Sequence, residues 1–149
     1  MIPDKQKLFR ILRAYGNFDT KVSYAQGYPF IVTMLLHYIS NEEDVFFCLL
    51  KIMGNLNWRQ HFLKPYRQPD IVNELHELIS LYIPDLCTQL EQDGMKDSLL
   101  NNLYNYTIPS MCTGGYIPIE ISARVFELVI FEDYGDVTLV RLIIYMLMI

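Results

Sequence analysis

Most of the chain is patterned at helical spacing. Over about residues 4–15, Leu8, Ile11, Leu12 and Tyr15 recur on one face, with Lys5, Arg10 and Arg13 largely off it. Gly16-Asn17 predicts the stop of that first helix. Pro29 stands where a helix accepts proline, in its first turn, and Phe30 to Ile39 is almost wholly apolar. That run predicts a buried central helix. Asn41 is the expected N-cap of the next helix, Glu42, Glu43 and Asp44 fill its positive first turn, and Gly54 closes it. Asn55 to Gln68 has no period and carries the single tryptophan, which predicts a packed surface loop. Helical spacing resumes at Pro69-Asp70, with Ile71, Leu75, Leu78, Ile79 and Tyr82 in one stripe. Pro84 restarts a short helix for which Gly94 is a suitable C′ residue. Further helices are predicted at about 96–106, 118–132 and 136–148, with Pro109 and Gly114-Gly115 marking a turn-rich connection and "EDYGD" splitting the last two. No strand alternation of any length occurs. The fold class is therefore all-α, a globular array of roughly eight helices.

Composition narrows the function. The 149 residues suit one domain, and a hydrophobic fraction of 52% supplies ample core. Such an apolar chain leaves some surface for a partner. Residues 1–21 carry five basic against two acidic side chains and residues 70–149 three against twelve, within a net charge of −5. No basic cluster is dense enough to track phosphates, which argues against nucleic acid as a partner. Cys48, Cys87 and Cys112 show no C-x-x-C spacing, and an odd count without a signal peptide predicts reduced thiols in the cytoplasm. The longest apolar run, "LIIYMLMI" from Leu142 to Ile149, is far short of the ~18 residues of a membrane span.

Several enzyme signatures fail. "HELIS" at His76 begins like a zinc-protease helix, but Ser80 stands where the second histidine is needed, so His76 reads as structural and no metal is expected. His37 reads as a core or helix-face residue and His61 as a loop residue without nearby ligands. The Glu42-Glu43-Asp44 run is explained by helix-start charge. Phe46, Phe47, Tyr104 and Tyr106 read as core aromatics. No glycine-rich loop followed by Lys-Ser/Thr offers a nucleotide cradle. There remains "YAQGY", Tyr24 to Tyr28, which on its own five residues reads as a helix entry.

The longer stretch "LFRILRAYGNFDTKVSYAQGYPFIVTMLLHYISNEEDVFFCLL" resembles the TBC domain of GTPase-activating proteins for Rab-type small GTPases. Leu8, Leu12, Ala14, Tyr15, Tyr24, Gln26, Gly27, Phe30, Leu35, Leu36, Glu43, Asp44, Phe46 and Leu49 fall in that family's order, L-x-x-x-L-x-A-Y, G-Y-x-Q-G-M and E-E-D-A-F-W-x-L. "IPDLCTQLEQDGM" and "IPIEISARVFELVIFEDYGD" match later stretches of the pattern more loosely. Ser23 replaces the usual Gly, Tyr28 the usual Met, Phe47 and Tyr106 stand where Trp is favoured, and Phe126-Glu127 replace Trp-Asp. The family's arginine motif, I-x-x-D-x-x-R, does not occur in this chain.

The resemblance implies a Rab-type small GTPase as partner and Gln26 as the residue that orients the attacking water. It implies Tyr24, Gly27, Tyr28 and Pro29 as loop supports and GTPase contacts. GTP and Mg would belong to the GTPase, leaving this chain without a cofactor of its own. It also implies a cytoplasmic location, peripheral to membranes through the partner. The expected organisation is an incomplete TBC-like domain over 1–149: an N-terminal segment over 1–54 with the Y-x-Q-G loop, a connecting loop over 55–68, and a C-terminal helical segment over 69–149. Without the arginine, little activating power is expected from this chain alone. The rival expectation is an inactive TBC-like interaction protein docked in a larger assembly.

Overall fold

The structure, a computed structural model, describes residues 4–22, 24–63, 68–111, 113, 117–132 and 135–148, with only the backbone at 68–70. Ser23, Cys112 and Gly114-Gly115 lie outside the described residues. Among the described residues there are eight α-helices and no strand. They are α1 (Lys5–Phe18), α2 (Tyr28–Tyr38), α3 (Glu42–Gly54), α4 (Gln68–Tyr82), α5 (Pro84–Gln92), α6 (Lys96–Asn102), α7 (Ile119–Phe131) and α8 (Gly135–Leu147). A short 3₁₀ helix, Trp58–Phe62, sits between α3 and α4, and a π turn, Leu103–Thr107, continues α6.

α1, α2 and α3 pack on one another, and the 3₁₀ helix packs on α3; α4 touches α5, α6 and α8, and α7 pairs with α8. The apolar run of α2 is the centre of the first group. Its Ile31, Val32, Met34 and Leu35 are buried together with Ile11 and Tyr15 of α1 and Val45, Leu49, Ile52 and Met53 of α3. Each such aliphatic side chain gains about 1.5–3 kcal/mol on burial, which offsets the entropy of ordering short helices that would not stand alone. The α1–α3 edge is also tied by polar contacts: Arg10 forks onto the Glu42 carboxylate at 2.6 and 2.8 Å, and Lys7 Nζ donates to the Ser40 carbonyl at 2.7 Å. These groups are exposed, so they tune the packing rather than drive it.

The helix ends follow local chemistry. Asn41 Oδ1 accepts from the Glu43 N–H at 2.9 Å, the expected N-cap. At the end of α5, Gly94 has φ +65°, its N–H donates to the Glu91 carbonyl and the Met95 N–H to that of Leu90, which is a Schellman closure. Gly135 lets α8 start hard against α7, since a methyl there would run into the Val129 carbonyl.

Four expectations need correction. α1 runs through Gly16-Asn17 to Phe18, because the Asp19 N–H still donates to the Tyr15 carbonyl (2.8 Å) and Asp19 is itself anchored. The stretch read as a packed surface loop contains a regular element, since Trp58–Phe62 forms the 3₁₀ helix with Trp58 buried. The helix expected at 96–106 is α-helical only to Asn102, then widens into the π turn, closed by an Ile108 N–H to Leu103 carbonyl bond of 2.9 Å. Phe47 and Tyr106 are not core aromatics; they are 60% and 50% exposed.

Gly94→Ala forces a side chain into the left-handed region and is expected to cost about 1–2 kcal/mol. Urea unfolding of the two proteins measures it.

Candidate functional site

Between α1 and α2 the chain makes one tight corner. The Tyr28 N–H donates to the Ala25 carbonyl at 3.1 Å, so Ala25-Gln26-Gly27-Tyr28 is a turn with Gln26 and Gly27 at its centre. Gln26 is exposed and Tyr24 is 65% exposed, whereas Gly27 and Tyr28 are buried and Pro29 is half-buried. The turn thus divides its residues: Gln26 and Tyr24 face outward, and Gly27 and Tyr28 hold the corner from within.

Gly27 has φ −72° and ψ −27°, which any residue adopts, so its glycine is a matter of space. A Cβ there would lie 2.8 Å from Phe62 Cε1 and 3.1 Å from the Pro109 carbonyl oxygen. The space a side chain would take at Gly27 is filled by Phe62 and Pro109 of this same chain. That carbonyl is fixed in turn, accepting a hydrogen bond from Trp58 Nε1 at 3.1 Å. The Tyr28 ring, 1% exposed, meets Phe62 edge-on at 4.3 Å and Tyr15 at 5.1 Å. Tyr28 therefore supports the loop and presents no surface to a partner.

The start of the loop is clamped by charge. Asp19, 8% exposed, accepts from Arg59 Nε at 2.5 Å and Nη2 at 2.8 Å and from the Tyr15 hydroxyl at 3.2 Å. Arg59 holds the Asp19 carboxyl below the usual carboxylate range, against the opposing effect of burial. Burial, then the Asp19 charge, pushes the Tyr15 phenol up to about 12. Burial likewise raises Tyr28. Arg59 belongs to the 3₁₀ helix, so the same short element anchors Asp19 and, through Phe62 and Trp58, backs the turn.

Beside Gln26 opens a cavity of about 410 Å³ whose other walls are His61 and Phe62 of the 3₁₀ helix and Tyr104, Asn105 and Tyr106 of the π turn. His61, read from sequence as an isolated loop residue, and the π-turn residues are the components of the site that sequence reasoning missed. An aromatic-rich "LYNYT" is indistinguishable from core until the π turn rotates Asn105 and Tyr106 outward. A larger, nearly apolar cavity of about 520 Å³ lies between α2, α3 and α7, and none of its lining residues is Gln26 or a neighbour in the turn. No arginine lines the Gln26 cavity among the described residues. Arg10, Arg59 and Arg124 are bound to Glu42, Asp19 and Glu127. His37 is exposed on its helix face, with its ring against Tyr38. Among the described residues no helix is long and apolar enough to cross a membrane.

The packing beneath the turn sets the cost of changing it. Gly27→Ala is expected to cost about 1–3 kcal/mol because Phe62 and the Pro109 backbone must yield. Gln26→Ala should stay within about 0.5 kcal/mol of the native chain, as an exposed substitution; urea unfolding compares them. Asp19→Asn is expected to cost about 3 kcal/mol at neutral pH, the low end for breaking a buried pair, because Arg59 keeps contact with water. The depressed Asp19 value means that its stabilisation is complete above the unfolded carboxyl value near ~4 and fades as pH falls through the folded value. Between about pH 5 and about pH 2 the native chain should therefore lose more stability than Asp19→Asn, read from urea midpoints across that range.

The family described as Rab-GTPase-TBC domain matches residues 3–149. TBC1 domain family member 4 of Mus musculus is 32% identical over 133 residues, 84% of this chain and 9% of that protein. Rab GTPase-activating protein tbc-11 of Caenorhabditis elegans is 32% identical over 105 residues, 70% of this chain and 11% of that protein. GTPase-activating protein GYP5 of Eremothecium gossypii is 34% identical over 97 residues, 63% of this chain and 12% of that protein. The chain spans about a tenth of the length of these curated relatives. No solved structure matches it. With the family pattern running from residue 3 to residue 149, the chain belongs to the Rab-GTPase-TBC domain family.

Proposed function

We propose that this chain is the glutamine-bearing portion of a Rab GTPase-activating unit, in which Gln26 orients the water that attacks the γ-phosphate of GTP on the partner. The observation that carries the reading is the Gln26 amide at the exposed corner of a turn whose Gly27 and Tyr28 are buried. A primary amide accepts through its carbonyl and donates through its NH₂, and it stays neutral at any working pH. It can hold a water by its oxygen while its nitrogen reaches the partner's backbone. A rigid support matters because misplacing a catalytic group by about 1 Å can cost about 10²-fold in rate. Tyr24 and Tyr106, both exposed and flanking the cavity, are suited to touch the GTPase surface.

Orientation is one of two requirements. The other is positive charge against the transferring phosphoryl group, and a trans arginine supplies about 10³–10⁵ in rate. The I-x-x-D-x-x-R string is absent from the sequence and no described arginine lines the cavity. Residues 1–149 alone are therefore expected to accelerate hydrolysis little. The same absence favours, as a second reading, a TBC-like module that docks without activating.

Single-turnover GTP hydrolysis across a Rab panel tests both. The expected result is acceleration below about tenfold by residues 1–149, abolished by Gln26→Ala. Addition of an arginine-bearing family segment should raise the rate by at least about 10³, and only with Gln26 intact. Binding to GTP-loaded Rab with no rate gain under either condition would establish the docking module. Strong acceleration insensitive to Gln26→Ala would exclude the glutamine role.

A further inference from the structure

A second cluster lies on the α4–α5 hairpin, apart from the Gln26 cavity and sharing no residue with it. The hairpin is closed at Ile83, where the chain turns from Tyr82 to Pro84. Cys87 and Glu91 stand four apart on α5, hence on one face, and His76 of α4 reaches across to both. His76 Nε2 is 3.8 Å from Cys87 Sγ and 3.8 Å from Glu91 Oε1, and the three ligand atoms all lie within 4.8 Å of one another. The "HELIS" string lacked a second histidine; the fold brings a thiol and a carboxylate to His76 instead.

The cluster is rich in lone pairs. Ser80 spends its hydroxyl proton on the His76 carbonyl at 2.8 Å. Its oxygen also lies 3.2 Å from Cys87 Sγ and 3.5 Å from His76 Nε2. Positive charge already gathers there, since Lys96 Nζ lies 3.0 Å from Glu91 Oε1. An ion bonded to sulfur at about 2.3 Å and to nitrogen and oxygen at about 2.0–2.2 Å sets tetrahedral edges of roughly 3.4–3.6 Å. The His76 separations need to contract by a few tenths of an ångström, and the Cys87–Glu91 separation, which lies within 4.8 Å, by at most about 1.2–1.4 Å. Cys87 is buried, while the side chains of His76 and Glu91 are 36% and 52% exposed, so a fourth position opens to water.

We propose that His76, Cys87 and Glu91 hold one divalent ion of the zinc class, with water as the fourth ligand, cross-linking α4 to α5. The mixed sulfur, nitrogen and oxygen set selects zinc over the all-oxygen preference of calcium or magnesium. On binding, the Cys87 thiol proton leaves to solvent and the thiolate takes the metal. Lys96 competes with the ion for Glu91 and must release that oxygen.

The test is zinc titration of the metal-free full chain against a chromogenic chelator, with circular dichroism to verify each variant's fold. One equivalent should bind. Cys87→Ser and His76→Gln should each weaken binding at least about tenfold, and Cys48→Ser should leave it unchanged. Lys96→Met should tighten it, because the competing ammonium is gone. Cobalt should show a thiolate charge-transfer band that Cys87→Ser removes. Absence of stoichiometric binding by the folded native chain overturns the proposal. So does binding that survives both Cys87→Ser and His76→Gln, that disappears in Cys48→Ser, or that is weakened by Lys96→Met. None of these readouts depends on a GTPase.

Discussion

The candidate site depends on one steric contact, the seating of Gly27 against Phe62 and the Pro109 carbonyl. Because nothing projects from Gly27, the α1–α2 turn can lie directly on two segments from far along the chain. Everything outward of that contact is consequence. Gln26 is turned to the surface because its neighbour is turned inward, and the exposed Tyr24 lies beside it. Trp58 Nε1 donates to the same Pro109 carbonyl, so that carbonyl is held by a buried indole rather than by solvent.

Charge completes what packing begins. The Asp19–Arg59 pair joins residues 40 apart in sequence and fixes the chain where it leaves α1. A buried carboxylate is tolerated there because it is bonded to a guanidinium fork and a phenol, so its desolvation is compensated at once. The 3₁₀ helix is thus the common support, contributing Trp58, Arg59 and Phe62. Its exposed counterpart, the Arg10–Glu42 fork, joins α1 to α3 in water and contributes far less.

The helices were legible because their signals are local. Asn41 caps, Gly94 stops and the apolar run of α2 buries, each for reasons contained within a few residues. The site was half legible. Gln26 could be singled out from its motif, but the work of Gly27 could not, since Phe62 and Pro109 reach it only through the fold. The same holds for Asp19, whose partner is an arginine in a stretch without period. Phe47 and Tyr106 look like core by composition, and only the helix face and the π turn decide that they are exposed. His76 shows the same limit, because its neighbours Cys87 and Glu91 come from another helix.

On the function proposed above, the presented Gln26 amide would perform one chemical act, holding a water in line with a phosphate. The most direct measurement is a crystal structure of this chain with a Rab GTPase loaded with GDP and aluminium fluoride, supplied with an arginine-bearing family segment. The Gln26 carbonyl should lie within about 3 Å of the water opposite the leaving group, with the turn unchanged on Phe62. A complex in which the GTPase sits on another face and Gln26 remains in solvent would contradict it.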